Sequence, residues 1–417
     1  MIIDQINLNS FLKLGYFIDY RNNTYQLDYS RIDRKMFHQW PEEDLINKAI
    51  TTFRDAIERE FESNQDHVIP LSGGLDSRAL LAGLFEFTPA AKIHTYTFGT
   101  PGTFDYEIGN KVAKQVGTDH ARFPLTEYHY RIEELLDISR RIDHQTILFH
   151  HPPIWEIDKR FGNCLFWSGY IGDVITGGHL KQKPSTNITE AKQGYLQKYA
   201  YVTSLDLANC NDYEFHNKID FQWLDPGILS FDEQMFYQER VQKLTAPHVL
   251  MHGYNYKTPF INNAFMDFMF SIADKYRKDQ YLYKKMLLRA YPRFFSLATK
   301  NTYGLALNAP SPLVQTLRVI LKAKRLWNGV VPTFLEKNIN YLDFDSAIRE
   351  RSDLKKIHYN NLMDLAQRKL IDWVPIETIW NDHQCKKGNF ADALIVLTSL
   401  EIHMKAQEQS QSEVRDT

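Results

Sequence analysis

Residues 68–84 read VIPLSGGLDSRALLAGL, and this stretch constrains the fold more than any other. An apolar, partly β-branched run ends in Ser-Gly-Gly-Leu-Asp-Ser, and helix-forming residues follow at once. The same alternation continues downstream. HVIPL precedes a helix predicted at 76–87, and IHTYTFG (93–99) precedes one at 104–117. RFPL precedes a helix at 126–142, and NCLFWSG (163–169) follows one at 153–161. Nearly continuous apolar strands separated by helices require a parallel sheet covered on both faces. The expected class is therefore α/β, a doubly wound parallel sheet over about 65–180, with a largely helical part at about 185–405.

Upstream, residues 11–28 read as two strands around an Arg-Asn-Asn turn, which makes 1–40 a short hairpin segment. A helix is predicted at 41–63, with Pro41 in its first turn. The main domain is expected at 41–405, and the polar residues 406–417 as a flexible tail.

Of 417 residues, 49 are Lys or Arg and 51 are Asp or Glu. A net charge of −2 gives no global field for nucleic acid or an anionic membrane. No apolar run approaches the roughly 18 residues of a membrane span. The start, MIIDQINLNS, does not resemble a signal peptide. Cys164, Cys210 and Cys385 are far apart, without CxxC spacing, which points to a reducing cytoplasm.

Ligands of open parallel sheets bind beyond the carboxyl ends of the strands. SGGLDS lies at the first such end. Ser72, Gly73 and Gly74 lack bulk, so their amides can close around an anion, and the next helix adds its positive end. Ser72 and Ser77 bring hydroxyl donors. Asp76 would repel a bare anion, but suits a divalent cation held between it and a phosphate. The loop is thus suited to magnesium and pyrophosphate. Neither G-x-x-x-x-G-K-[ST] nor G-x-G occurs in the chain.

SGGLDS resembles the PP-loop of the N-type ATP pyrophosphatases, and the chain resembles the synthetase domain of the asparagine synthetase family over roughly 40–405. WSGYIGDVITGGH resembles that family's S-G-E-G-x-D-E-x-x-G-G-Y, and YKTPFIN its R-V-P-F-L-D. KKMLLRAYP and ATKNTYG resemble its two lysine-bearing motifs. The resemblance implies a PP-loop, adenine-nucleotide α-hydrolase-like fold that uses ATP and Mg²⁺. Such enzymes adenylate a carboxylate, release pyrophosphate and form an amide. It assigns Ser72, Gly73, Gly74, Asp76 and Ser77 to pyrophosphate, with Asp76 and Asp173 on the metal. Leu71, Phe98, Ser168 and Gly169 would line the adenosine. Lys285 would neutralise phosphate charge, and Lys300 would stand near the acyl centre.

The chain departs from the family in several places. Met1 is followed by Ile2 rather than a catalytic cysteine, and only about 65 residues precede the PP-loop strand, so no glutaminase domain is expected. The nitrogen would come from free ammonia, a substrate amine or a separate ammonia-supplying protein. The acid of S-G-E-G is replaced by Tyr170, as in family members that close β-lactam rings, which makes Tyr170 the candidate base. The glutamate that would pair with that tyrosine is Asn255, expected to orient it, and the next glutamate is Val174. His144, His150 and His151 are further candidate bases. The acyl substrate is expected among small carboxylates, sugar acids and peptides. Two other readings stand beside this ligase. One is a sulfur-inserting or nucleobase-modifying PP-loop enzyme, and the other is a non-catalytic ATP-binding relative.

Overall fold

Val68 and Ile69 are wholly buried, but on opposite faces of the same strand. Phe166 and Trp167 divide in the same way. Burying each such side chain contributes about 1.5–3 kcal/mol, so these runs are stable only inside a sheet covered on both sides. The computed structural model describes residues 4–21, 29–327 and 341–415, and it contains that sheet. Its strands are β1 (His67–Pro70), β2 (Ile93–Gly99), β3 (Asp119–Pro124), β4 (Leu165–Trp167) and β5 (Asn255–Lys257). All neighbours are parallel, in the order β3-β2-β1-β4-β5. The order reverses between β1 and β4, the topological switch point of a doubly wound sheet.

The helices that flank the sheet begin with α1 (Gln5–Leu14) and α2 (Glu42–Glu60). There follow α3 (Asp76–Leu84), α4 (Phe104–Val116), α5 (Ile132–Arg141) and α6 (Ile154–Phe161). Ile69, Leu71 and Trp167 pack with Leu80 of α3, Ile108 of α4 and Phe53 of α2. On the other face Val68, Tyr96 and Phe166 meet Ile157 and Phe161 of α6. A second large core joins Phe11 of α1, Leu135 of α5 and the long helices Ser352–Arg368 and Ala391–Arg415. Among the described residues no helix is long and apolar enough to cross a membrane.

Three expectations are corrected. Residues 11–14 belong to a helix, not a strand. Asp4 caps it by accepting the amides of Ile6 and Asn7, Gly15 ends it at φ 76°, and Leu8, Phe11 and Leu12 are buried. Much of the predicted second strand, 22–28, lies outside the described residues. The helix predicted at 126–142 starts only at Ile132, because the amide of Tyr130 is taken by Asp353 rather than by a helical turn. The polar tail is helical through Arg415, anchored by buried Ala406 and by Glu408 on Arg368.

Candidate functional site

The loops that leave β1 and β4 meet at the switch point. They form one wall of a cavity of about 360 Å³, lined by Ser72, Gly74, Asp76, Ser77, Gly169 and Asp173. His179, Gln280, Lys300 and Asn301 complete its rim. The β1 loop is folded on itself. The Gly74 amide donates to Ser72 Oγ at 3.1 Å, and the Ser72 amide to Ser77 Oγ at 3.3 Å. The Gly73 amide donates to Asp105 Oδ1 of α4 at 3.1 Å, and the same carboxylate meets Lys300 Nζ at 3.1 Å. The Lys300 amide also donates to the Gly73 carbonyl at 2.9 Å, which ties the lysine's own loop to the glycine turn.

The β4 loop comes very close to Asp76. A Cβ on Gly172 would stand 2.7 Å from Asp76 Cγ, and one on Gly169 would stand 3.1 Å from Asp76 Cβ. Only glycine permits that approach at Gly172. Between them Ile171 sits at φ 53°, where the family motif has glycine. A β-branched residue in the left-handed region is strained by about 1–3 kcal/mol, and such strain gathers at functional sites. Asp173 follows in the one-turn helix α7 (Gly172–Ile175). Its Oδ2 is 2.7 Å from His179 Nε2, and the His179 ring stacks on Phe236 at 4.5 Å.

Asp76 is the abnormal group. Burial, and then the neighbouring Asp173 carboxylate, push its pKa up to about 8. Its Oδ1 is buried without a well-formed hydrogen bond, although the buried Tyr283 hydroxyl beside it favours the charged form. A buried carboxylate left this way is costly unless a cation meets it. Two carboxylates facing a phosphate-sized space fit Mg²⁺, which takes one or two protein carboxylates and completes its shell with phosphate oxygens and water. Among the described residues no group of three or more His, Cys, Asp or Glu forms a closed metal cage.

Ser72, Gly74, Asp76, Ser77, Gly169, Asp173 and Lys300 are therefore brought together, with Gly73 in the same turn. Leu71 and Ser168 serve the sheet with their backbones. The Leu71 amide donates to Tyr96 O, and that of Ser168 to Lys257 O. Phe98 stacks on Tyr341 with centroids 6.0 Å apart.

Other expected residues lie elsewhere. Lys285 is half-exposed and pairs with Glu42 of α2, over the ring of Tyr281. It projects from the outer side of helix Tyr281–Ala290, away from the cavity lining. Tyr170 is only 2% exposed and belongs to the apolar core, with its hydroxyl 3.5 Å from the Val241 carbonyl. Asn255 does not orient it. Asn255 pairs with Leu165 at the start of β4, whereas Tyr170 lies beyond its end.

The three histidines belong to the helical body. His144 Nδ1 is 2.8 Å from Ser139 Oγ, and His150 stacks on Tyr341 at 4.6 Å. His151 faces His248 at 3.9 Å. Burial lowers the pKa of each. Sequence reasoning missed Asp105 and His179. The signal for His179 was present: it ends the second motif, where the family has tyrosine.

Residues 49–222 match the asparagine synthase family model. That span holds the PP-loop and Asp173 and ends before Lys285 and Lys300. Asparagine synthetase B [glutamine-hydrolyzing] of Escherichia coli K12 is 22% identical over 207 residues, 43% of this chain and 36% of that protein. A putative asparagine synthetase [glutamine-hydrolyzing] 2 of Methanocaldococcus jannaschii is 25% identical over 195 residues, 43% of this chain and 35% of the relative. Asparagine synthetase [glutamine-hydrolyzing] 2 of Arabidopsis thaliana is 28% identical over 171 residues, 38% of this chain and 30% of the relative. The chain thus spans about a third of the length of these curated relatives.

Proposed function

Residues 49–222 being a domain of the asparagine synthase family, we propose that the chain is an ATP-dependent carbon–nitrogen ligase. It adenylates a carboxylate, releases pyrophosphate, and passes the acyl group to ammonia or a substrate amine. The observation that carries this reading is Asp76, buried beside Asp173 at the switch point with one oxygen unpartnered. Asp76 and Asp173 would hold Mg²⁺, which supplies charge neutralisation of the β- and γ-phosphates. Ser72, Gly73, Gly74 and Ser77 would bind pyrophosphate oxygens through amides and hydroxyls. Lys300, exposed at the rim, would stabilise negative charge that develops at the acyl centre. Asp105 holds that lysine against the glycine turn.

The sulfur-transfer reading needs a cysteine at this end of the sheet. Cys164 instead precedes the start of β4, at the opposite end. The test is ATP–pyrophosphate exchange across a panel of carboxylic acids, with product analysis. AMP and pyrophosphate are expected. ADP and phosphate as the only products would remove the assignment.

A further inference from the structure

Helix Ser311–Trp327 differs from the other long helices. Those bury their apolar side. Leu354, Leu362 and Leu365 of Ser352–Arg368 are wholly covered, as are Leu394, Leu397 and Leu400 of Ala391–Arg415. In Ser311–Trp327, by contrast, Leu313, Val319 and Ile320 are 47%, 64% and 44% exposed. Val314, Leu317 and Leu321 are only partly buried, and among the described residues none of the six joins a hydrophobic core. A helix of 17 residues is marginal in water unless its apolar side is packed.

Its charge is equally one-sided. The stretch holds Arg318, Lys322, Lys324 and Arg325, and no Asp or Glu. Arg318 is exposed, and among the described residues it meets no carboxylate. In the two helices above such cations are paired, Arg368 with Glu401 and Glu408, and Lys405 with Asp364. Leu313, Leu317 and Ile320 recur at steps of four and three. Arg318, Lys322 and Arg325 recur at the same steps, so the two sets form separate rows along the helix.

The chain's net charge of −2 gives no long-range field, but salt confines fields to about 10 Å in any case. Four cations on one helix therefore act on whatever touches it. A basic amphipathic helix is too charged to span a bilayer. It lies in the interface, with its apolar row against the acyl boundary and its cations at anionic headgroups. A second copy is a poorer occupant, since a two-fold contact would set cations against cations.

We infer that Ser311–Trp327 docks the protein on an anionic lipid surface. None of its residues lines the phosphate cavity, and the inference is independent of the ligase reading.

The experiment is sedimentation of the full chain with sucrose-loaded vesicles, either phosphatidylcholine alone or phosphatidylcholine with roughly one-third phosphatidylglycerol. The anionic vesicles should bind at least about tenfold more tightly, and the difference should shrink as salt rises towards about 0.5 M. A cation beside an anionic surface is worth about a fivefold change in affinity, so Arg318→Gln with Lys322→Gln should lower binding about 25-fold. Leu313→Ser with Ile320→Ser leaves the charge unchanged and should lower it about tenfold or more. Thermal unfolding checks both pairs; should one fail to fold, the other pair and the wild-type lipid preference decide. Equal binding to the two vesicles, or binding to neither, overturns the inference, and the second result turns the search to an acidic protein. So does binding that survives unchanged in either folded pair. A wild-type dimer in sedimentation velocity that Leu313→Ser with Ile320→Ser abolishes would give this face to a second copy, and overturns the inference likewise.

Discussion

The carboxyl end of the sheet and the helical body both bury titratable groups, but they treat them in opposite ways. In the helical body His403 and His358 are held as neutral rings. His403 donates from Nε2 to the Thr146 carbonyl at 2.7 Å. As a neutral ring its Nδ1 then accepts from Ser139 Oγ at 2.7 Å, and Ser139 in turn accepts from His144. His358 Nδ1 meets Thr398 at 2.7 Å and the ring stacks on Phe149, while its Nε2 is buried without a partner. Burial holds His403 and His358 each near pKa 3, so both are neutral and their networks are local. At the sheet end Asp76 keeps an oxygen without a partner and a like charge beside it. A neutral buried ring tolerates an unmet nitrogen, whereas a buried carboxylate with an unmet oxygen and a like charge beside it marks a place where a ligand supplies what the chain does not.

The largest effects are expected at the two carboxylates of the sheet end. Asp76→Asn and Asp173→Asn should each lower pyrophosphate exchange by roughly 10²–10³-fold, the scale of a lost electrostatic stabiliser. Without metal and above about pH 8, where Asp76 is ionised, Asp76→Asn should also melt higher than the wild type, since it removes a buried uncompensated charge. Lower exchange together with a lower melting temperature would mean that Asp76 is structural.

The two lysines sharpen the comparison. Lys300→Ala should cut amide formation by about 10²-fold. Lys285→Ala should stay within about threefold, since it removes only a surface pair with Glu42. Equal losses measured by steady-state kinetics would return Lys285 to the site.

The helical body should respond to acid. His403 and His358 are near 3 when folded and near 6.5 when unfolded. Between these values the unfolded chain binds protons that the folded chain does not. Stability should therefore fall as pH drops from about 6.5 towards 3. Denaturant melts of His403→Gln should show a shallower fall. An unchanged slope would mean that His403 is not among the groups responsible.

The smallest effect is expected at Tyr170. Its hydroxyl contact lies in the core, so Tyr170→Phe should cost about 1 kcal/mol of stability and leave both half-reactions within a few-fold. A selective loss of amide formation would restore it as the base.

The parts legible in the sequence were those fixed by short-range rules. β1 with SGGLDS and β4 with Gly169 and Asp173 carry their turn chemistry in contiguous residues, and they lie where expected. The parts not legible depend on distant packing. Lys285 occupies a motif position, but Glu42, 243 residues away, holds it. Tyr170 stands at a motif position, yet its side chain joins the core around Val241. Helix α1 reads as strand in the sequence because its apolar residues are dense, although Asp4 caps it. Nothing local in FYQERVQKLT distinguishes π from α winding, and its contacts are to distant residues: Phe236 packs on Tyr199, and the Val241 carbonyl lies 3.5 Å from the Tyr170 hydroxyl.

The central claim is that Asp76 and Asp173 hold magnesium pyrophosphate at the switch point. Calorimetric titration of pyrophosphate, with and without Mg²⁺, tests it directly. One site is expected on the wild-type protein, requiring Mg²⁺ and lost in both Asp76→Asn and Asp173→Asn. Pyrophosphate binding that is independent of Mg²⁺, or that persists in either folded variant, would contradict it.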